Sequence, residues 1–270
     1  MKKILALLLS LVMLLSLAAC GGNNTGGTTG ENTGSGNTSG SNTGDSTDTG
    51  DTAGTGEIQP TLTIGIASDI NELDPQAQND QINNNCLALT HQTLVFLANE
   101  NNDYLPCLAE SWEWTDDTHL VFHLVQNACF SDGTPFNADD VVFTYEKAMD
   151  PDRSAVAATL SLVESVEKID DYTVQFVTSS YSNELLAVLA GYPLVILSKE
   201  AYEDPSNEEP YLIGTGRYVF NEWKQSEYVS FVKNENFWGE DPGVAEEIIF
   251  RPLLESASRV AALQSGEIDV

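Results

Sequence analysis

Residues 21–57 are drawn almost wholly from Gly, Asn, Thr and Ser with a few Asp, and this stretch decides how much chain is left to make a fold. Such a composition buries too little apolar surface to offset the entropy of ordering, so it reads as a flexible, disordered tether. At ~5–6 Å × √n its root-mean-square reach is about 30–36 Å. Everything able to form a core lies in 58–270, about 210 residues, enough for one sizeable core or two small lobes.

Ahead of the tether, Lys2 and Lys3 precede an apolar stretch of about 16 residues that closes on Leu17-Ala18-Ala19-Cys20. A positive start, an apolar middle and a small-residue exit are the parts of a secretory signal. As a helix the stretch would reach about 24 Å, short of the ~30 Å hydrocarbon core, so it makes a poor permanent span. Cys20 directly after Leu-Ala-Ala resembles the bacterial lipobox. That resemblance implies a lipoprotein signal peptide over 1–20, with Cys20 acylated and holding the mature chain on the extracytoplasmic face of the cell membrane. Two or more acyl chains anchor stably, each buried CH₂ contributing roughly 0.8 kcal/mol. The alternative is an ordinary secreted protein whose signal contains a cysteine.

Eleven Lys and Arg stand against 41 Asp and Glu, a formal charge of −30. With so few cations to neutralise phosphates, nucleic-acid binding is excluded as a function class. The acidity serves the solubility of an extracytoplasmic protein, with attraction of cationic ligands as the second reading. Once Cys20 is assigned to lipid, Cys86, Cys107 and Cys129 remain. These allow at most one internal disulfide, form no Cys-x-x-Cys pair, and fit small buried apolar side chains. His119 and His123, on one face of a strand, would stand about 13 Å apart, too far to share a metal ion.

Strand and helix patterns alternate through 58–270. Leu62, Ile64 and Ile66 alternate as a first strand, and Asp74-Pro75 turns the chain. The apolar pattern predicts a helix over 85–98 with Leu87, Leu94 and Val95 inward. Strands over 113–114 and 119–125 flank Asp116-Asp117, with Leu120, Phe122 and Leu124 on one face. Residues 130–136 read as a turn between aromatic anchors, where Gly133 takes φ > 0 and Asp132 bonds its own backbone. Asn137 then caps a helix with Asp139 and Asp140 in its first turn and Val141, Val142, Tyr145 and Met149 at helical spacing. A second hairpin turns at Asp170-Asp171 between 163–169 and 172–178, followed by a short helix over 183–190 and a short strand over 194–197. Strands over 218–223, 228–233 and 248–250 come next, with an aromatic turn at 236–239. A helix over 256–265 carries Val260 and Leu263 inward, stops at Gly266, and leads into a further strand at 268–270. The order indicates a mixed α/β protein with at least two subregions and no internal repeat.

Catalytic readings of these segments are weak. Gly214-Thr215-Gly216 has no third glycine in register and no Gly-Lys-Ser/Thr, so it fits a turn better than a phosphate loop. Asp139 and Asp140 are adjacent at a helix start and point apart, which suits the helix dipole and not a glycosidase pair. No serine stands in a Gly-x-Ser-x-Gly setting. Trp112, Trp114, Trp223 and Trp238 could stack a ligand or pack in core and turns. No catalytic residue, metal or cofactor is expected, and the chain reads as a binder and not an enzyme.

Several blocks resemble, in order, those of the extracellular solute-binding protein family 5, the peptide- and nickel-binding group of bacterial ABC importers. They are Leu108-Ala109-Glu110-Ser111-Trp112-Glu113; the run from Phe130 through Ser131-Asp132-Gly133-Thr134-Pro135-Phe136 to Phe143; Gly214-Thr215-Gly216-Arg217-Tyr218; Trp223; Asn236-Phe237-Trp238-Gly239; and the run from Arg259 to Asp269. Arg217 departs from the proline usual after Gly-Thr-Gly. The resemblance implies a family 5 domain over 58–270. It corresponds to the first lobe, with its inserted subdomain, of a bilobal periplasmic-binding-protein-like fold, the second lobe being absent and the domain truncated.

The family ligand lies between lobes, so a single lobe is expected to bind its solute weakly and to associate through its uncovered face. On this chain Asn79, Asp80 and Gln81 match the first-lobe segment lining that cleft, with a solvated polar loop as the other reading. The implied function is capture of oligopeptides by a membrane-anchored lipoprotein that delivers them to an ABC permease in the membrane. The alternatives are a surface interaction lipoprotein without transport function, or a binder of another solute such as a nickel complex, haem or a sugar.

Overall fold

The computed structural model describes residues 60–78, 80–98 and 103–270. The signal, Cys20, the tether and Asn79 lie outside the described residues. The chain opens with β1 (Thr61–Ile66), α1 (Gln81–Thr90), β2 (Val95–Leu97), β3 (Tyr104–Pro106), β4 (Ala109–Trp114) and β5 (His119–Leu124). It continues through α2 (Ala138–Met149), β6 (Val163–Asp170), β7 (Thr173–Thr178), α3 (Leu185–Leu189) and α4 (Lys199–Glu203). The last elements are β8 (Tyr218–Lys224), β9 (Tyr228–Lys233), β10 (Glu247–Pro252) and α5 (Ser256–Ser265).

Two four-stranded sheets organise these elements. The first has the order β1-β10-β9-β8, with β1 parallel to β10 and the other pairs antiparallel. The second, β4-β5-β7-β6, is antiparallel throughout, and β2 with β3 makes a small ribbon. Because β1 pairs with β10 while β2 to β7 lie between them in sequence, the chain leaves the first sheet, builds the second, and returns at β8. All the described residues belong to one compact unit.

Each sheet has its own core. In the second, period-2 alternation buries Leu120, Phe122 and Leu124 of β5 beside Val174 and Phe176 of β7. Helix α2 lays Val141, Tyr145 and Ala148 over them. The Phe176 ring meets Tyr145 at 4.8 Å and Phe122 at 5.3 Å, both edge-on. Edge-on aromatic pairs add about 0.5–1.5 kcal/mol to area burial. In the first sheet, Ile66, Val229, Phe231, Ile248 and Phe250 share the buried face.

Turn and cap chemistry places α2. Gly133 has φ 88°, and Asp132 Oδ1 accepts from Thr134 N at 2.9 Å and Thr134 Oγ1 at 2.7 Å. Asn137 Oδ1 accepts from Asp139 N at 2.8 Å, and the Asp140 carboxylate accepts from Asn137 N at 2.9 Å. This is a reciprocal capping box with Asp in the usual place of Glu.

Four expectations are corrected. The helix expected over 85–98 is α1, capped by Asp80 and ended at His91; Val95 to Leu97 is a strand paired with β3. A short apolar run suits either element, and the ribbon partner decided it. Residues 194–197 are buried without joining a sheet: Ile196 N donates to Gln92 O at 2.9 Å and Leu197 N to Thr144 Oγ1 at 2.9 Å. On α5, Val260 and Leu263 are 55% and 52% exposed, and Ala262 and Ile268 are buried in their place. Gly65 leaves room for that approach, since a Cβ there would stand 2.6 Å from Ile268 Cδ1. Residues 268–270 form no assigned strand but run along the free edge of β1, Asp269 N donating to Thr63 O at 2.8 Å and Gly65 N to Val270 O at 2.9 Å.

Candidate functional site

The loop from Asn71 to Asp80 joins β1 to α1 and is held by Gln76, which is fully buried. Gln76 Nε2 donates to Thr144 O at 3.0 Å, its carbonyl accepts from Ala155 N at 2.8 Å, and Lys147 Nζ donates to Gln76 Oε1 at 3.2 Å. Lys147 also stands 3.7 Å from the Asp74 carboxylate, which accepts from Gln76 N at 2.9 Å. The loop is thereby fixed to α2 at one end. At the other, Asp80 Oδ1 accepts from Ile82 N at 2.8 Å as the N-cap of α1.

Of the three residues matched to a ligand-lining segment, Asp80 therefore spends one carboxylate oxygen on the helix, Gln81 is exposed at its first turn, and Asn79 lies outside the described residues. Sequence reasoning passed over Gln76 and the buried Asn83 and Asn84 of α1. The signal was present: Asn83, Cys86, Leu87 and Thr90 follow i, i+3, i+4, i+7, the spacing of one buried face.

Behind this helix the two cores meet. Gly216 N donates to Thr90 O at 2.9 Å, Ser131 N to Gly214 O at 2.8 Å, and Asn236 Nδ2 to Ser131 O at 2.9 Å. The glycines permit close approach of backbone to backbone. A Cβ on Gly214 would stand 2.2 Å from Thr90 O. Trp238 Nε1 donates to Gln92 Oε1 at 2.9 Å, so this indole is committed to the joint. Arg217, in the place of the usual proline, donates from Nε to Asp241 O at 2.7 Å and lies 5.5 Å from the Phe237 ring.

The titratable groups here are structural. Burial lowers the His91 imidazole to about 4, against hydrogen bonding to the backbone of Ile213 and Tyr211, and Nδ1 stands 2.8 Å from Thr90 Oγ1. Burial pushes the Cys86 and Cys107 thiols up to about 12, far from a reactive thiolate. Burial likewise raises the Asp140 carboxyl to about 6, opposed by bonds from Lys199 N and Asn137 N. Asp139 turns away to Lys168 at 2.8 Å, so the adjacent carboxylates form no pair. His119 lies 2.8 Å from Asp116 in a surface turn. A cleft of about 530 Å³, lined by Thr63, Tyr228, Arg251 and Glu267 among others, lies on the first sheet and contains neither Asp80 nor Gln81.

The arrangement is that of a scaffold presenting a polar loop. A family model described as bacterial extracellular solute-binding proteins, family 5 Middle, matches residues 103–270. Heme-binding protein A of Haemophilus influenzae is 30% identical over 207 residues, covering 67% of this chain and 37% of that protein. Glutathione-binding protein GsiB of Escherichia coli K12 is 30% identical over 212 residues, covering 76% of this chain and 41% of that protein. The solved structure of the periplasmic binding protein DppA from Helicobacter pylori with the peptide STSA superposes with a TM-score of 0.70 at 27% identity, over 78% of this chain and 46% of that one. The chain thus spans about two fifths of the length of these curated relatives. Its mixed α/β fold is that of part of a periplasmic binding protein, and the chain belongs to family 5 of the bacterial extracellular solute-binding proteins.

Proposed function

We propose that this chain captures oligopeptides for an ABC importer as a lipoprotein held to the extracytoplasmic face of the membrane by acylated Cys20. The observation that carries the reading is the family match over 103–270 on a fold shared with a peptide-bound relative. The segment Asn79-Asp80-Gln81 at the entry to α1 is assigned to contact the solute, and residues 21–57 to the tether. Extended peptides suit a polar loop because their backbone offers regular donors and acceptors while side chains vary. In a bilobal binding protein, solute held by both lobes stabilises the closed form that a permease reads, a shift of populations with no covalent step. Haem is the second reading, favoured by the likeness to heme-binding protein A.

Two measurements test this. Cells expressing the wild type and Cys20→Ala are fractionated: wild type in the membrane with an acyl mass on Cys20, and the variant released, is the expected result. Wild type soluble in the medium defeats the anchor. Titration calorimetry of the chain with trialanine, glutathione and haem is expected to show saturable heat with the peptides; heat with haem alone replaces the solute class.

A further inference from the structure

Ala155 N, which donates to Gln76 O at 2.8 Å, ties the loop before α1 to the chain that continues at Val156. Val156 is the first wall of a cavity of about 190 Å³. Val156, Pro193 and Leu194 form its buried floor, and Thr159, Ala187, Val188 and Gly191, exposed or half-buried, form its rim. The polar groups of this wall are already spent on one another. Val156 O accepts from Thr159 N at 2.9 Å and from Thr159 Oγ1 at 2.6 Å, Gly191 N donates to Val188 O at 3.0 Å, and Leu194 N to Gly191 O at 2.9 Å. Val156 N donates to Ser154 Oγ at 3.3 Å, Val188 N to Glu184 O at 3.1 Å, and Pro193 has no N–H to offer. Hydrocarbon is what remains for an occupant to meet. Apolar cavities of about 150 Å³ stay dry and take up molecules the size of benzene, and here the exposed rim leaves the space open to solvent.

We propose that this cavity is a specificity-determining subsite that receives one branched aliphatic or aromatic side chain of the peptide solute. Such a side chain gains by leaving water for an apolar wall. A carboxylate or ammonium group would shed its hydration there and meet no partner. This deepens the solute-binding reading above and rests on it, naming the kind of side chain the solute carries. The cavity is continuous with the assigned loop through the bond from Ala155 to Gln76, so one solute has its polar backbone beside the loop and a side chain in the cavity.

The test uses the chain with Ala187→Phe, which fills the cavity from its rim, and Ala187→Asp, which sets a charge there. Ala187 is exposed, so both variants keep the wild-type fold. Calorimetry with trileucine and trialanine compares a side chain that fills the space with one that does not. Wild type is expected to bind trileucine at least about tenfold more tightly than trialanine. In both variants the ratio should fall below about twofold, with trialanine affinity unchanged. Methyl resonances of Val156, Val188 and Leu194 should shift saturably with trileucine and stay fixed with trialanine.

Equal affinity of wild type for the two peptides would overturn the proposal. So would a leucine preference that survives in both variants, because the selective contact would then lie elsewhere. If wild type takes up none of trileucine, trialanine, glutathione and haem, the solute-binding reading fails by itself. Benzene then decides the cavity: saturable shifts of the same methyl resonances, abolished in Ala187→Phe, uphold a site for a hydrocarbon group, and unshifted resonances overturn it.

Discussion

Gly216 lies against the end of α1 so closely that a Cβ on it would stand 2.3 Å from the carbonyl oxygen of Leu89. Thr90 C and His91 N would be 2.4 Å and 2.7 Å away, all backbone atoms that cannot rotate aside. The two cores are joined here by a glycine contact.

Gly216→Ala should therefore separate the end of α1 from the 214–216 turn. Overpacking costs about 1–3 kcal/mol, and a clash with backbone falls at the upper end. Urea unfolding should show a midpoint well below wild type. An unchanged midpoint would mean the joint yields freely.

Gly133→Val isolates backbone strain from crowding. The nearest atom to a Cβ at Gly133 is Asn236 Nδ2 at 3.8 Å, so space is available, and the cost comes from φ 88°. A β-branched residue there should lose about 1–3 kcal/mol and Gly133→Asn less, because Asn tolerates the left-handed region. Thermal unfolding of both variants checks the order. Intact stability with lost solute binding would move this turn from scaffold to site.

Phe176→Ala removes the ring that both Phe122 and Tyr145 meet edge-on. A fully buried Phe lost to Ala costs about 3–5 kcal/mol. Loss of near-ultraviolet ellipticity at lower urea is the expected observation.

Between pH 4 and 6, His91 and Asp140 pull stability in opposite directions. His91 is lowered in the fold from 6.5 to about 4, so over that window the unfolded chain binds the extra proton and acidification removes stability. Asp140 is raised from 3.8 to about 6, so the folded chain binds the extra proton and acidification adds stability. Each slope reaches at most about 1.4 kcal/mol per pH unit. Relative to wild type, His91→Phe should gain stability as pH falls from 6.5 to 4. Asp140→Asn should lose it from 6 to 4. Urea titrations at pH 4.5, 5.5 and 6.5 read both slopes, and a His91→Phe profile parallel to wild type would remove His91 from the account.

Local chemistry made much of this fold legible. Asp132-Gly133 and Asn137 act within a few residues of themselves, and the alternation through Leu120, Phe122 and Leu124 needs only one covered face. Long-range partners were not legible. Val95 to Leu97 became a strand because Tyr104 to Pro106 answered it, and α5 turned Val260 and Leu263 outward because Ala262 and Ile268 made the contact with the first sheet. At the candidate site, family likeness pointed to Asn79, Asp80 and Gln81. Asn83 and Asn84 were hidden because amides on a helix read as surface until the burial of Cys86 and Leu87 sets the face.

The parallel pairing of β1 with β10 also sets an order of events in time. Thr61 and Glu247, joined by a side-chain hydrogen bond, are 186 residues apart in sequence. The loop-closure entropy of that contact must be met before any of its ladder forms, whereas the β4–β5 and β6–β7 hairpins close locally. A chain emerging from its N-terminus exposes β1 first and completes its sheet last. For that interval Leu62, Ile64 and Ile66 stand as an unpaired strand, so this short segment is where a holding chaperone would act or where two nascent chains would stick.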